Sequence, residues 1–211
     1  MTSAGSARLW RAAATLGRRR RRGKGLPTVW FVTDPDRTPE PVAAAAARPR
    51  GSGVILRHVG RPDAEEIARR LVVVARRRGL VLLVAADEAM AARVGAAGVH
   101  LPERLAGRLA RLKARRPRWI VTVAAHSPRA LAAARGADGV LLSTVFASRS
   151  LSAGRPLGVL KLAMQARRAS APVYALGGVT AKTAGRLVGT GVAGFAAVEA
   201  LSSLSGYRDW P

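Results

Sequence analysis

Residues 121–130 read VTVAAHSPRA, 139–158 GVLLSTVFASRSLSAGRPLG, 172–185 PVYALGGVTAKTAG and 191–203 GVAGFAAVEALSS. These stretches repeat one grammar: a short run of Val, Leu and Ala, a polar or Gly-bearing break, then a helix start built from Ser, Thr or Pro. Apolar runs without strict alternation suit strands buried on both faces. Strands that alternate with helix starts predict parallel βα units, with their loops gathered at the strand C-termini.

The same rhythm runs upstream. Strands are expected at Val29 to Thr33, Gly53 to Arg57, Leu80 to Ala85, Gly98 to Leu101, Trp119 to Ala124, Gly139 to Ser143, Val173 to Leu176 and Gly194 to Val198. Between them, helices are expected near Pro41 to Arg48, Asp63 to Arg78 and Glu88 to Val94, the last capped by Asp87. Pro102, Ser127-Pro128 and Thr180 open three further helices, and a short one follows at Glu199 to Leu204. Eight units are what a closed barrel requires, so the fold class is α/β, a compact (β/α)8 TIM barrel over residues 28–211. The 211-residue chain is short beside the typical ~250 residues, which demands short helices and little decoration.

Composition supports that reading and excludes several chemistries. Hydrophobic residues make up 49% and aromatics only 4%, so the core is aliphatic. The absence of cysteine removes disulfides, thiolate nucleophiles and Cys-based metal sites. No apolar run approaches the roughly 18 residues of a membrane span, and the first 25 residues lack the apolar core of a secretory signal, so a soluble cytoplasmic protein is expected.

The net charge is +24, from 36 basic and 12 acidic residues. Residues 1–27 carry eight basic side chains and no acidic one, and Arg18 to Arg22 are consecutive. Like charges so close repel one another, so residues 1–27 are expected to form a disordered basic tail that can be removed without loss of the fold. Within it, ARLWRAAATL at 7–16 has the pattern of a short amphipathic helix, and an Arg-rich start without acids also matches organelle transit peptides. Such a field attracts phosphates, nucleic acid and anionic membranes alike; it admits an RNA partner through the tail without predicting one.

All three histidines, His58, His100 and His126, fall at or just past strand C-termini, the catalytic face of such barrels. Each reads either as a chemical group or as a hydrogen-bonding loop residue. His126 shares strand parity with Thr122 and Ala124, whereas His58 has parity opposite to Arg57. An imidazole with a pKa near roughly 6.5 takes and returns a proton at neutral pH. Gly177-Gly178 after the seventh strand reads either as a phosphate cradle, where backbone N–H groups approach an anion, or as a tight turn needing positive φ.

The order of these parts resembles the thiamine phosphate synthase/thiazole tautomerase (TenI) family of TIM barrels. The resemblance rests on Val32-Thr33-Asp34, Gly98-Val99-His100-Leu101, Ala125-His126-Ser127, Gly136 to Val140, Val145-Phe146, Pro156-Leu157-Gly158 and Pro172-Val173 leading to Gly177-Gly178-Val179. It spans roughly residues 28–205.

It implies a protein of thiamine biosynthesis acting on a thiazole phosphate. The reaction would be either coupling to hydroxymethylpyrimidine pyrophosphate or tautomerisation with His126 as proton shuttle. It further implies that Arg57, Ser148 and Ser150 grip a phosphoryl group and that Gly177 and Gly178 hold the phosphate. Coupling would need Mg²⁺ and carboxylates to hold it.

The chain departs from the family there. Ile55 and Val59 replace two polar members of the strand-two trio, Ala85-Ala86 replaces an Asn-Asp pair, and Leu105 stands at a metal Asp. Leu151 stands at the loop lysine and Glu199 at a small hydroxyl residue near the phosphate. No metal ligand is assigned, Mg²⁺ is implied only by a retained synthase reaction, and the alternative is a non-catalytic barrel that binds a phosphorylated ligand or, through its tail, RNA.

Overall fold

The computed structural model describes residues 3–19, 25–148, 150 and 154–202. Eight parallel strands close into a barrel in sequence order: β1 (Val29–Val32), β2 (Gly53–Leu56), β3 (Val81–Ala85), β4 (Gly98–Leu101), β5 (Ile120–Ala125), β6 (Gly139–Leu142), β7 (Val173–Ala175) and β8 (Gly194–Ala197). The outer layer holds α1 (Ser3–Arg19), α2 (Pro41–Ala46), α3 (Ala64–Arg78), α4 (Glu88–Val94), α5 (Leu109–Arg115), α6 (Pro128–Ala133), α7 (Gly158–Arg168) and α8 (Glu199–Ser202). No helix among the described residues is long and apolar enough to cross a membrane.

Strand parity divides the core. Outward residues such as Phe31, Val54, Val99 and Val121 pack under the helices, while Trp30, Val32, Ile55, Leu83, Leu141, Tyr174 and Ala196 fill the barrel interior. At the N-terminal end the filling is a match of large to small. A Cβ on Gly53 would lie 2.1 Å from the Trp30 ring and one on Gly139 would lie 2.9 Å from Tyr174. The two rings meet edge to face at 6.2 Å and plug that end, so a ligand has room only at the C-terminal end.

Several helix starts follow their expected chemistry. Asp87 Oδ1 accepts the Met90 N–H at 2.7 Å, and Ser127 Oγ accepts that of Ala130 at 3.1 Å. Asp138 anchors the base of the barrel, where its Oδ2 accepts from Lys113 Nζ and from the Val121 N–H, each at 2.8 Å.

Two expectations require correction. Thr180 opens a turn and a 3-10 helix (Ala184–Leu187), not an α-helix. The segment is rich in glycine, and Gly189 and Gly191 take φ of 88° and 87°, which no helix continues through.

The expected disordered tail over 1–27 is the second correction. Residues 3–19 form α1, which packs against this 3-10 segment and β8 and so covers the place left by the missing seventh-unit helix. Leu9, Trp10, Ala13 and Leu16 are buried there. This burial outweighs the charge repulsion from which disorder is expected. Arg20, Arg21 and Arg22 of the basic run, and Ser203 and Leu204 of the last expected helix, lie outside the described residues.

Candidate functional site

The C-terminal end of the barrel opens into a cavity of about 470 Å³, a size suited to a small phosphorylated heterocycle. Its floor and one wall are apolar, from Val32, Ala85, Leu141, Leu176 and Ala197. Polar groups stand around its mouth, and Arg57, His126, Ser148, Ser150, Gly177 and Gly178 all line it.

His126 follows β5, with its side chain half exposed at the cavity edge. Its Nδ1 lies 2.7 Å from Glu103 Oε2, and its backbone N–H donates to the same oxygen at 2.9 Å. An ionised carboxylate only accepts, so Glu103 fixes the proton on Nδ1 and leaves Nε2 as the basic nitrogen. The Glu103 partnership is the main feature sequence reasoning missed. Its signal was the strand register: β4 and β5 align Leu101 with Val123, which carries Glu103 to the level of Ala125.

Beneath His126, His100 points into the barrel and is buried; its Nδ1 is 2.9 Å from Thr122 Oγ1 on the neighbouring strand. Burial, with the nearby charges of Arg57 and His126, pushes its pKa down to about 4, so the ring is neutral at physiological pH. His58 has the parity read from the sequence. It turns away from the cavity, its Nδ1 lies 3.1 Å from Thr33 Oγ1, and desolvation lowers its pKa as well.

The opposite rim carries a charge chain. Arg57 Nη2 donates to Asp34 Oδ2, Arg37 donates to the same oxygen at 2.9 Å, and Arg37 reaches Glu199 at 4.0 Å. Burial pushes the Asp34 carboxyl upward, but the Arg37 hydrogen bond and the charges of Arg57 and Arg37 prevail and hold it at about 2. Glu199, whose carboxylate would repel a phosphate, is thus turned toward Arg37. Asp34 and Arg37 belong to the Asp-Pro turn after β1, and neither is among the site residues read from the sequence.

Gly177 and Gly178 take φ of 90° and 62°. A Cβ on Gly178 would lie 2.3 Å from Ala147 O, and one on Gly177 would lie 2.7 Å from Thr144 Cγ2. The turn requires glycine on both counts, and neither amide donates to an acceptor among the described residues. Ser148 and Ser150 sit beside it, with the Ser150 N–H 3.3 Å from Ser148 Oγ; Arg149 and residues 151–153, Leu151 included, lie outside the described residues.

The residues at the family's Mg²⁺ positions do not fit the ion. Ala85 and Ala86 offer no donor side chain, Leu105 stands at the metal Asp, Asp87 is spent on capping α4, and Glu103 on His126. Among the described residues no three His, Asp or Glu side chains converge.

Comparison with known proteins agrees with the architecture. The family model described as thiamine monophosphate synthase (TMP-TENI) matches residues 29–201. The thiamine-phosphate synthase of Thioalkalivibrio sulfidiphilus is 34% identical over 71% of this chain and 74% of its own. That of Alcanivorax borkumensis is 29% identical over 83% of this chain and 85% of its own. Among solved structures, a thiamine phosphate pyrophosphorylase from Pyrococcus furiosus superposes with a TM-score of 0.68 at 24% identity, covering 88% of this chain and 90% of that one; at this identity the similarity speaks for the fold.

Proposed function

The chain belongs to the thiamine monophosphate synthase family, and we propose that within thiamine biosynthesis it isomerises a thiazole phosphate by proton transfer at His126. The observation that carries this reading is the Glu103–His126 pair on the edge of the same cavity that holds Gly177 and Gly178.

In this mechanism the phosphate sits on the free amides of Gly177 and Gly178, with the Ser148 and Ser150 hydroxyls beside it. The ring lies over the apolar floor, which favours an uncharged heterocycle and excludes water. His126 Nε2 takes a proton from one ring position while Glu103 stabilises the imidazolium that forms. The imidazolium, half exposed and in exchange with water, returns a proton at another ring position, so a double bond moves and the ring gains and loses one proton. His100, neutral and buried, offers the ring a hydrogen bond without adding charge.

A second reading, coupling of the thiazole phosphate to a pyrimidine pyrophosphate, is favoured by what the curated relatives are named. Arg57 would grip the leaving group there, but it is already engaged by Asp34, and the metal positions lack donors.

The test is to supply the protein with the non-aromatic thiazole phosphate tautomer and, separately, with thiazole phosphate plus pyrimidine pyrophosphate, each with Mg²⁺ and with a chelator. Isomerisation that survives the chelator is expected. Metal-dependent thiamine phosphate as the sole product would replace this reading with the second.

A further inference from the structure

A second concavity, of about 550 Å³, lies outside the barrel between α6 and α7. Its origin is local: α6 has only six residues, too few to cover the face that the eleven-residue α7 turns toward it. On α7, Lys161, Met164, Gln165 and Arg168 follow the spacing of one helical face and line the groove. Leu131 floors it from α6, and Arg135 stands on the far rim.

Three observations mark this groove as a docking surface. Leu162 buries the core face of α7, but Met164 in the groove is 56% exposed and Leu160, one turn earlier and beside it, 80%, so two large apolar side chains are left uncovered. Gln165, in the groove wall, keeps its Oε1 sealed from solvent with no hydrogen-bond partner among the described residues, so this wall is not closed by its own polar contacts. Arg135, Lys161 and Arg168 surround the groove, no acidic residue lines it, and none of the three cations forms an ion pair among the described residues.

We propose that the α6–α7 groove docks an acidic amphipathic helix of another protein. Apolar side chains of that helix would enter between Leu131 and Met164, with its carboxylates on Arg135, Lys161 and Arg168. A second copy of this chain is opposed by like charge, because each copy brings the same three cations and a net +24. A lipid surface is opposed by shape, since a concave groove receives the ridge of a helix and not the plane of a bilayer.

The experiment uses the full chain and a fluorescent synthetic peptide with Leu at helical spacing flanked by Glu, against a scrambled peptide of the same composition. Anisotropy should show the amphipathic peptide binding at least about tenfold more tightly. That preference should vanish in Arg135→Glu/Arg168→Glu and weaken severalfold in Met164→Ser. Arg77→Glu/Arg78→Glu, an equal charge change on α3, should retain it.

Thermal melting of each variant verifies that it is folded. Equal affinity for both peptides, or equal loss in the two double variants, would overturn the proposal in favour of unspecific attraction. Concentration-dependent dimerisation abolished by the groove variants would overturn it in favour of a second copy. Binding to phosphatidylglycerol vesicles that the groove variants lose, without peptide preference, would assign the surface to lipid.

Discussion

Glu103 and His126 stand at the ends of neighbouring strands, and one carboxylate oxygen receives both the ring Nδ1–H and the backbone N–H of the histidine, at 2.7 and 2.9 Å. The two bonds fix the imidazole in position and tautomer together. In Glu103→Gln the side-chain amide can donate to Nδ1, which moves the ring proton to Nε2 and removes the base. A fall in kcat of about 10–100-fold is expected, with KM for the phosphorylated substrate nearly unchanged. Steady-state kinetics check it: a rise in KM at constant kcat would mean that Glu103 serves binding alone.

His100 ties stability to pH. Its folded pKa of about 4 lies below the ordinary 6.5, so between these values the unfolded chain binds more protons and stability rises with pH. The contribution is full above about pH 6.5 and is lost as pH falls toward 4; it amounts to about 3 kcal/mol at most. His58, also lowered, acts in the same direction. Denaturant titrations at pH 7 and pH 4.5 should differ by less in His100→Asn than in the parent protein.

Removal of α1 should not be neutral. Trp10 is 2% exposed against the 3-10 segment and β8, and Trp10→Ala should cost about 3 kcal/mol or more. A chain lacking residues 1–19 should melt well below the full chain or fail to fold, and an unchanged melting temperature would show that the helix is dispensable.

Ala86 takes φ of 61° at the centre of a three-residue turn in which the Asp87 N–H donates to Ala85 O at 2.8 Å. An L-residue there carries about 1–2 kcal/mol of strain, from which the backbone entropy of glycine subtracts about 0.5–1. Ala86→Gly should therefore stabilise the fold by up to about 1 kcal/mol, measured by denaturant unfolding, although Ala86 also lines the cavity.

Much of this architecture is legible in the sequence because strands buried on both faces are short aliphatic runs, and their period of two assigns His126 and Arg57 to the cavity and His58 away from it. What escapes a residue-by-residue reading is relational. Leu9, Trp10, Ala13 and Leu16 show an apolar face, but nothing local says that the seventh unit lacks a helix for that face to replace. Glu103 lies beside a vacated metal position in sequence, and only the β4–β5 register brings it to His126. The Asp34–Arg37–Glu199 chain joins the first and last strands of the barrel, which meet only on closure.

The most direct test of proton transfer at His126 is isomerisation of the thiazole phosphate tautomer in D₂O, followed by proton NMR for the parent protein and His126→Ala with a chelator present. Conversion by the parent is expected with solvent deuterium entering the ring, and at least about a hundredfold slower conversion by His126→Ala, which still binds the phosphate. Equal rates in the two proteins, or no conversion by a parent that binds the ligand, would contradict it and leave a barrel that holds the phosphate without using His126 for chemistry.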